Sequence, residues 1–95
     1  MAADDRVERT LQIQNELGLH ARAATKFVQL ASKFTGCEIT VTKGGNEVNG
    51  KSILSLLTLM APKGTTITIR ARGERAKDAV AALAQLIDDK FGEDK

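Results

Sequence analysis

Three stretches of this chain alternate apolar and polar residues at a period of two, and the segments between them repeat their apolar residues at helical spacing. Val7, Leu11 and Ile13 fall on one side of the first stretch, Ile39 and Val41 on one side of the second, and Ile67, Ile69 and Ala71 on one side of the third. Successive side chains of a strand point to opposite faces, so each stretch reads as a strand with one buried face. Ala21, Ala24, Phe27, Val28, Ala31 and Phe34 make one helical stripe, and Ala76, Ala79, Val80, Leu83, Leu86 and Ile87 make another. Half-buried strands and one-striped helices satisfy one another in a single sheet covered on one face.

The punctuation sets the order. A strand over Val7–Ile13 is followed by a loop over Asn15–Leu19 and a helix over Ala21–Phe34, with Gly36 as its C-terminal cap. Cys37–Thr42 forms a strand, Lys43-Gly44-Gly45-Asn46 a turn and Glu47–Asn49 the return strand of a hairpin. A short helix over Ser52–Met60 is broken by Pro62, Lys63 and Gly64, and Thr65–Arg72 is the fourth strand. After a turn at Gly73, the longest helix runs over Glu74–Phe91 and stops at Gly92. The result is an α+β chain of order βαββαβα, one domain over residues 1–95, with the polar residues 1–6 as a flexible extension. A chain of 95 residues supports one core. With three Phe and no Trp or Tyr, that core has to be built from Leu, Ile, Val and Ala.

Charge and cysteine usage exclude several classes. The net charge is only +2, the Lys and Arg are mixed with Asp and Glu, and aromatic side chains for base stacking are scarce, so a nucleic-acid groove is not expected. The single cysteine, Cys37, rules out an intramolecular disulfide and a cysteine-cluster metal site, and reads as a buried thiol. No signal peptide and no apolar run long enough to span a bilayer is present, so the cytoplasm is the expected compartment.

The only histidine, His20, stands where an extended segment meets a helix start, in Leu17-Gly18-Leu19-His20-Ala21-Arg22-Ala23-Ala24. A helix start offers unpaired N–H groups and partial positive charge to anions. Arg22 adds a fixed cation whose planar fork suits phosphate oxygens, and Gly18 adds a permissive backbone. These residue types suit a histidine that carries a phosphoryl group; they equally suit a histidine that fills a loop-to-helix corner.

Gly45-Asn46-Glu47-Val48-Asn49-Gly50-Lys51-Ser52 matches the phosphate-loop pattern letter for letter. Its interior reads as a strand, however, and the later strand ends Ile69-Arg70-Ala71-Arg72 with no acid to hold magnesium, so a nucleotide site is rejected. Ser52 reads as the N-cap of the following helix, a place where a phosphate would also be accommodated. In that helix Ile53, Leu54, Leu56, Leu57, Leu59 and Met60 are all apolar, more than one buried stripe needs. The surplus suits either a docking surface or scattered exposed side chains.

Gly18-Leu19-His20-Ala21-Arg22-Ala23-Ala24 resembles the active-site signature of the HPr family, the histidine-containing phosphocarriers of the bacterial phosphoenolpyruvate-dependent sugar phosphotransferase system. Gly50-Lys51-Ser52-Ile53-Leu54 resembles that family's regulatory serine segment, and Val7-Glu8-Arg9-Thr10 and Pro62-Lys63-Gly64-Thr65 also fit. The resemblance covers about Val7 to Phe91. It departs at Ala23, where the family usually has proline, a residue that pre-sets φ in a first helical turn.

The resemblance implies an open-faced β-sandwich: a four-stranded antiparallel sheet in the order 1-4-2-3, with three helices on one side. It implies that His20 accepts a phosphoryl group at Nδ1 from phosphorylated enzyme I and donates it to enzyme IIA domains, with Arg22 stabilising the phosphate. Ser52 would be a regulatory phosphorylation site for HPr kinase/phosphorylase. Ala21, Ala24, Ile53, Leu54 and Leu57 would form the partner-binding face beside His20. The expected protein is a monomeric carrier rather than an enzyme, without metal, cofactor, nucleic acid or membrane insertion. A nitrogen-related branch of the same relay is not separable from the sugar branch on these residues.

Overall fold

The computed structural model describes residues 6–95. Its elements are β1 (Arg6–Gln12), α1 (Ala21–Ala31), β2 (Cys37–Lys43), β3 (Asn46–Asn49), α2 (Ile53–Leu57), β4 (Thr66–Gly73) and α3 (Ala76–Asp88), followed by a left-handed turn at Lys90–Gly92. The strands form one antiparallel sheet in the order β1-β4-β2-β3, so the last strand in the chain sits between the first two.

The register explains why. Leu11 pairs with Ile67 and Val7 with Ala71, while Val41 pairs with Ile69 and Ile39 with Ala71. Apolar residues thus stand opposite one another on one face, where α1 and α3 cover them; Phe27, Ile39, Ile69, Leu83 and Ile87 are buried there. The other face is polar. Thr10 and Thr68 hydroxyls meet at 2.9 Å, and the Arg70 guanidinium lies between Glu8 at 2.5 Å and Glu47 at 2.8 Å. This is the open-faced sandwich of order βαββαβα, in the 1-4-2-3 arrangement.

The helices are shorter than their apolar patterns. The chain leaves α1 through tighter turns, with Lys33 N–H donating to Leu30 and Phe34 N–H to Ala31, so α1 ends at Ala31 rather than Phe34. Gly36 is therefore not its cap and is not left-handed; a Cβ there would run into the Glu74 side chain. Within α1 the buried stripe takes Ala23 in place of Ala21. The α2 helix stops at Leu57, because Leu59 and Met60 bond back only three residues and Met60 turns left-handed at φ 50°. The Lys43 ammonium caps this end, donating to the Leu59 and Met60 carbonyls at 2.9 and 2.8 Å.

At the other end, α3 begins at Ala76 after a left-handed Arg75 and ends at Asp88. Lys90, Phe91 and Gly92 then all have positive φ, and this bend drives Phe91 into the core with no exposed surface. Of the expected flexible extension, residues 1–5 lie outside the described residues, but Arg6 belongs to β1 and pairs with Arg72. Cys37 is buried, and burial pushes its thiol above the ordinary value.

Candidate functional site

The loop before α1 is fixed by two backbone features. Gly18 has φ 72° and donates its N–H to the Asn15 carbonyl; Leu19 N–H donates to the Ala61 carbonyl at 2.9 Å. They deliver His20 to the N-cap of α1 with extended backbone angles of −82° and −179°. Its carbonyl accepts from Ala24 N–H at 2.8 Å, and its Nδ1 accepts from Arg22 N–H at 3.3 Å. The Ala21 and Ala23 N–H groups meet no protein acceptor among the described residues.

On the far side of the ring, Nε2 lies 2.6 Å from Glu93 Oε2. A nitrogen that accepts carries a lone pair, and a nitrogen facing a carboxylate carries a proton. The hydrogen bonds therefore assign the proton to Nε2 and leave Nδ1 as the nucleophilic nitrogen, at the open end of a helix.

Glu93 is itself held. The fully buried Asn15 donates both hydrogens of Nδ2, one to Glu93 Oε1 at 2.9 Å and one to the Gly18 carbonyl at 2.8 Å. Asn15 Oδ1 meets no donor among the described residues. The segment carrying Glu93 is fastened on both sides, by Lys26 Nζ donating to the Phe91 carbonyl at 2.7 Å and Glu16 N–H donating to the Lys95 carbonyl at 2.9 Å. Burial pushes the Glu93 carboxyl up, but the hydrogen bonds from Asn15 and His20, with the nearby charge of Arg22, outweigh it and hold the group below its ordinary value of 4.5.

Arg22 is exposed and lines an open cavity with Glu16, Leu17, Lys26, Glu93, Asp94 and Lys95. A phosphoryl group on Nδ1 would meet a guanidinium and helix N–H groups. A second, apolar depression beside His20 is lined by Leu17, Leu19, Met60, Ala61 and Pro62, with Leu17 and Met60 exposed at its rim.

The five residues expected at the partner face differ in exposure. Ala21 is exposed, but Ala24 is fully buried and offers a partner no surface. Leu54 is exposed, while Ile53 and Leu57 are half-buried against the core, and none of the three lines either depression beside His20. Met60, beyond the end of α2 at Leu57, lines the apolar depression instead. Ser52 is the N-cap of α2, its Oγ accepting from Ser55 N–H at 3.2 Å.

The phosphate-loop match dissolves in the fold. Its interior is β3, antiparallel to β2, and the Lys51 ammonium is engaged by the carbonyls of Phe34 at 2.7 Å and Cys37 at 2.6 Å. Among the described residues no group of three or more His, Cys, Asp or Glu is arranged to hold a metal, and no helix is long and apolar enough to cross a membrane.

Asn15 and Glu93 are the site residues that sequence reasoning missed. The available signal was weak: Phe91, an apolar residue past the α3 stripe followed by Gly92, hints that the chain turns back into the core.

Known proteins resemble this chain over nearly its whole length. The family model for the phosphorylation site of the HPr component of the phosphotransferase system matches residues 7–89. The phosphocarrier protein HPr of Neisseria meningitidis serogroup A is 47% identical over 87 residues, covering 92% of this chain and 97% of that protein. The phosphocarrier protein NPr of Shewanella violacea is 46% identical over 88 residues, covering 93% and 96%. The crystal structure of an HPr from Thermoanaerobacter tengcongensis superposes with a TM-score of 0.89 at 43% identity, covering 94% of this chain and 99% of that one. With its one histidine at the head of α1 and these relatives over nearly its whole length, the chain belongs to the HPr family, the phosphocarriers of the phosphotransferase system, which are not enzymes by themselves.

Proposed function

We propose that His20 accepts a phosphoryl group at Nδ1 from phosphorylated enzyme I and passes it to enzyme IIA domains in the cytoplasm. The observation that carries this is the pairing of the two ring nitrogens: Nε2 on the Glu93 carboxylate, and Nδ1 accepting at the N-terminus of α1 beside Arg22. As the N–P bond forms, Arg22 N–H loses Nδ1 as its acceptor and gains a phosphoryl oxygen. The guanidinium of Arg22 and the Ala21 and Ala23 N–H groups offset the rest of the charge. Leu17, Met60 and Ala21 supply exposed surface around the ring for docking, with Leu54 further along. Ser52, as the cap of α2, is the regulatory phosphorylation site in this reading.

The test is incubation with phosphoenolpyruvate and enzyme I. Acid-labile, base-stable phosphate is expected on the protein and none on His20→Ala; undiminished labelling of that variant refutes the reading. Magnesium ATP alone should neither bind nor be hydrolysed. Transfer from the labelled protein to sugar-specific and to nitrogen-related IIA domains, run side by side, separates the HPr-like from the NPr-like role.

A further inference from the structure

We propose that Glu93 is a positioning residue for phosphoryl transfer, holding the Nε2 proton of His20 through both acceptance and donation. This rests on the phosphocarrier reading and deepens it. The carboxylate stands 2.6 Å from Nε2, is aimed by Asn15 Nδ2 at 2.9 Å, and belongs to a segment pinned by Lys26 and by the Glu16 N–H. Its side chain keeps only 12% of its surface exposed, so water competes little for the contact.

In acceptance, the Nδ1 lone pair forms the new N–P bond while the donor's bond to phosphorus breaks, leaving its electron pair on the donor atom. No proton enters or leaves. The neutral ring becomes a phospho-imidazolium that still carries its Nε2 proton, and the Glu93 charge offsets the new cation. In donation the N–P electrons return to Nδ1 and the ring departs as neutral imidazole. Had Nε2 lost its proton, the departing group would be imidazolate, a far stronger base and a poorer leaving group. A fixed carboxylate at the distal nitrogen of a histidine sets its tautomer and orientation. Among the described residues, the other charged groups lining the cavity at Glu93 come from α1 (Arg22, Lys26), the preceding loop (Glu16) and the C-terminal segment (Asp94, Lys95). Of the three acids Glu93 alone contacts the ring.

The full chain is labelled with phosphoenolpyruvate and enzyme I, and the rates of uptake and of phosphate loss are followed from acid to alkaline pH. Glu93→Gln should take up phosphate roughly tenfold more slowly. Its dephosphorylation profile should move toward lower pH, because the phosphorylated ring gives up its Nε2 proton sooner. Glu93→Asp, which keeps the charge, should restore much of the profile; a merely structural role would leave the profile of all three proteins alike. A Glu93→Gln protein with wild-type rate and profile overturns the proposal. Should that variant not fold, ring-nitrogen NMR of the phosphorylated wild type decides: a protonated Nε2 at neutral pH is expected, and a bare one overturns it. Absence of label on the wild-type protein would refute the phosphocarrier reading itself, a different outcome from either of these.

Discussion

Gly18 is the position where one methyl group tests the whole placement of His20. Two effects act at once in Gly18→Ala. The backbone sits at φ 72°, where an L side chain is disfavoured by about 1–2 kcal/mol. A Cβ would also stand 2.6 Å from the Ala61 carbonyl oxygen and 2.7 Å from Pro62 Cα. Both are backbone atoms, and that carbonyl already accepts from Leu19 N–H, so relief requires the two segments to part. Overpacking of this kind costs about 1–3 kcal/mol. Together the loss should be about 2–5 kcal/mol, a large share of the roughly 5–14 kcal/mol that a 95-residue domain holds.

At about 4–8 °C per kcal/mol, the thermal midpoint by circular dichroism should fall by roughly 10 °C or more. Parting the loop from Ala61 also moves Asn15 and with it the aim of Glu93. His20 phosphorylation by enzyme I should therefore slow even at temperatures where the variant is fully folded. A loss below about 1 kcal/mol in a urea melt would refute the argument, because it would mean that the Ala61–Pro62 backbone yields freely.

Ala23→Pro removes an N–H that has no protein acceptor among the described residues, so it should raise stability by about 0.4–1 kcal/mol through the unfolded chain; a clear loss in a denaturant melt would show that the buried site cannot take the ring. Ser52→Ala should cost about 1 kcal/mol of stability as its Oγ cap on Ser55 N–H is lost, which a thermal melt reads directly. Ser52→Asp keeps a capping oxygen, so its melt should match the wild type while enzyme I phosphorylates it more slowly; an unchanged rate would confine Ser52 to capping. For Glu93 the folded-state carboxyl lies below 4.5, so the unfolded chain binds the proton more readily. Its contribution to stability is full above that value and is lost as pH falls through the lower folded value. Acid titration should show Glu93→Gln losing less stability than the wild type over that window; parallel curves would contradict the assignment.

The alternation of Ile39 with Val41 and of Ile67, Ile69 and Ala71, with the stripes through Phe27 and Leu83, determined by itself that this chain makes one sheet covered on one face. That information is local: side-chain direction in a strand repeats every two residues and in a helix every 3.6. The chemistry of His20 and Arg22 was legible for the same reason, since two residues at one helix start are neighbours wherever the helix goes. Strand order was not legible from periodicity, because a period says which face is buried and nothing about which strand lies beside it. Placing β4 between β1 and β2 depended on long-range pairing of Leu11 with Ile67 and Val41 with Ile69.

The helices end short of their apolar patterns, which run on past the last helical hydrogen bonds. Phe34 and Phe91 are core residues outside the α-helices, placed there by tight or left-handed turns. The half of the site at Nε2 was marked only by the weak hint of Phe91 and Gly92. Glu93 is 73 residues from His20 and Asn15 is 78 from Glu93, separations that no local period bridges. Only the burial of Phe91, which folds the end of the chain back onto α1, brings that carboxylate to the ring.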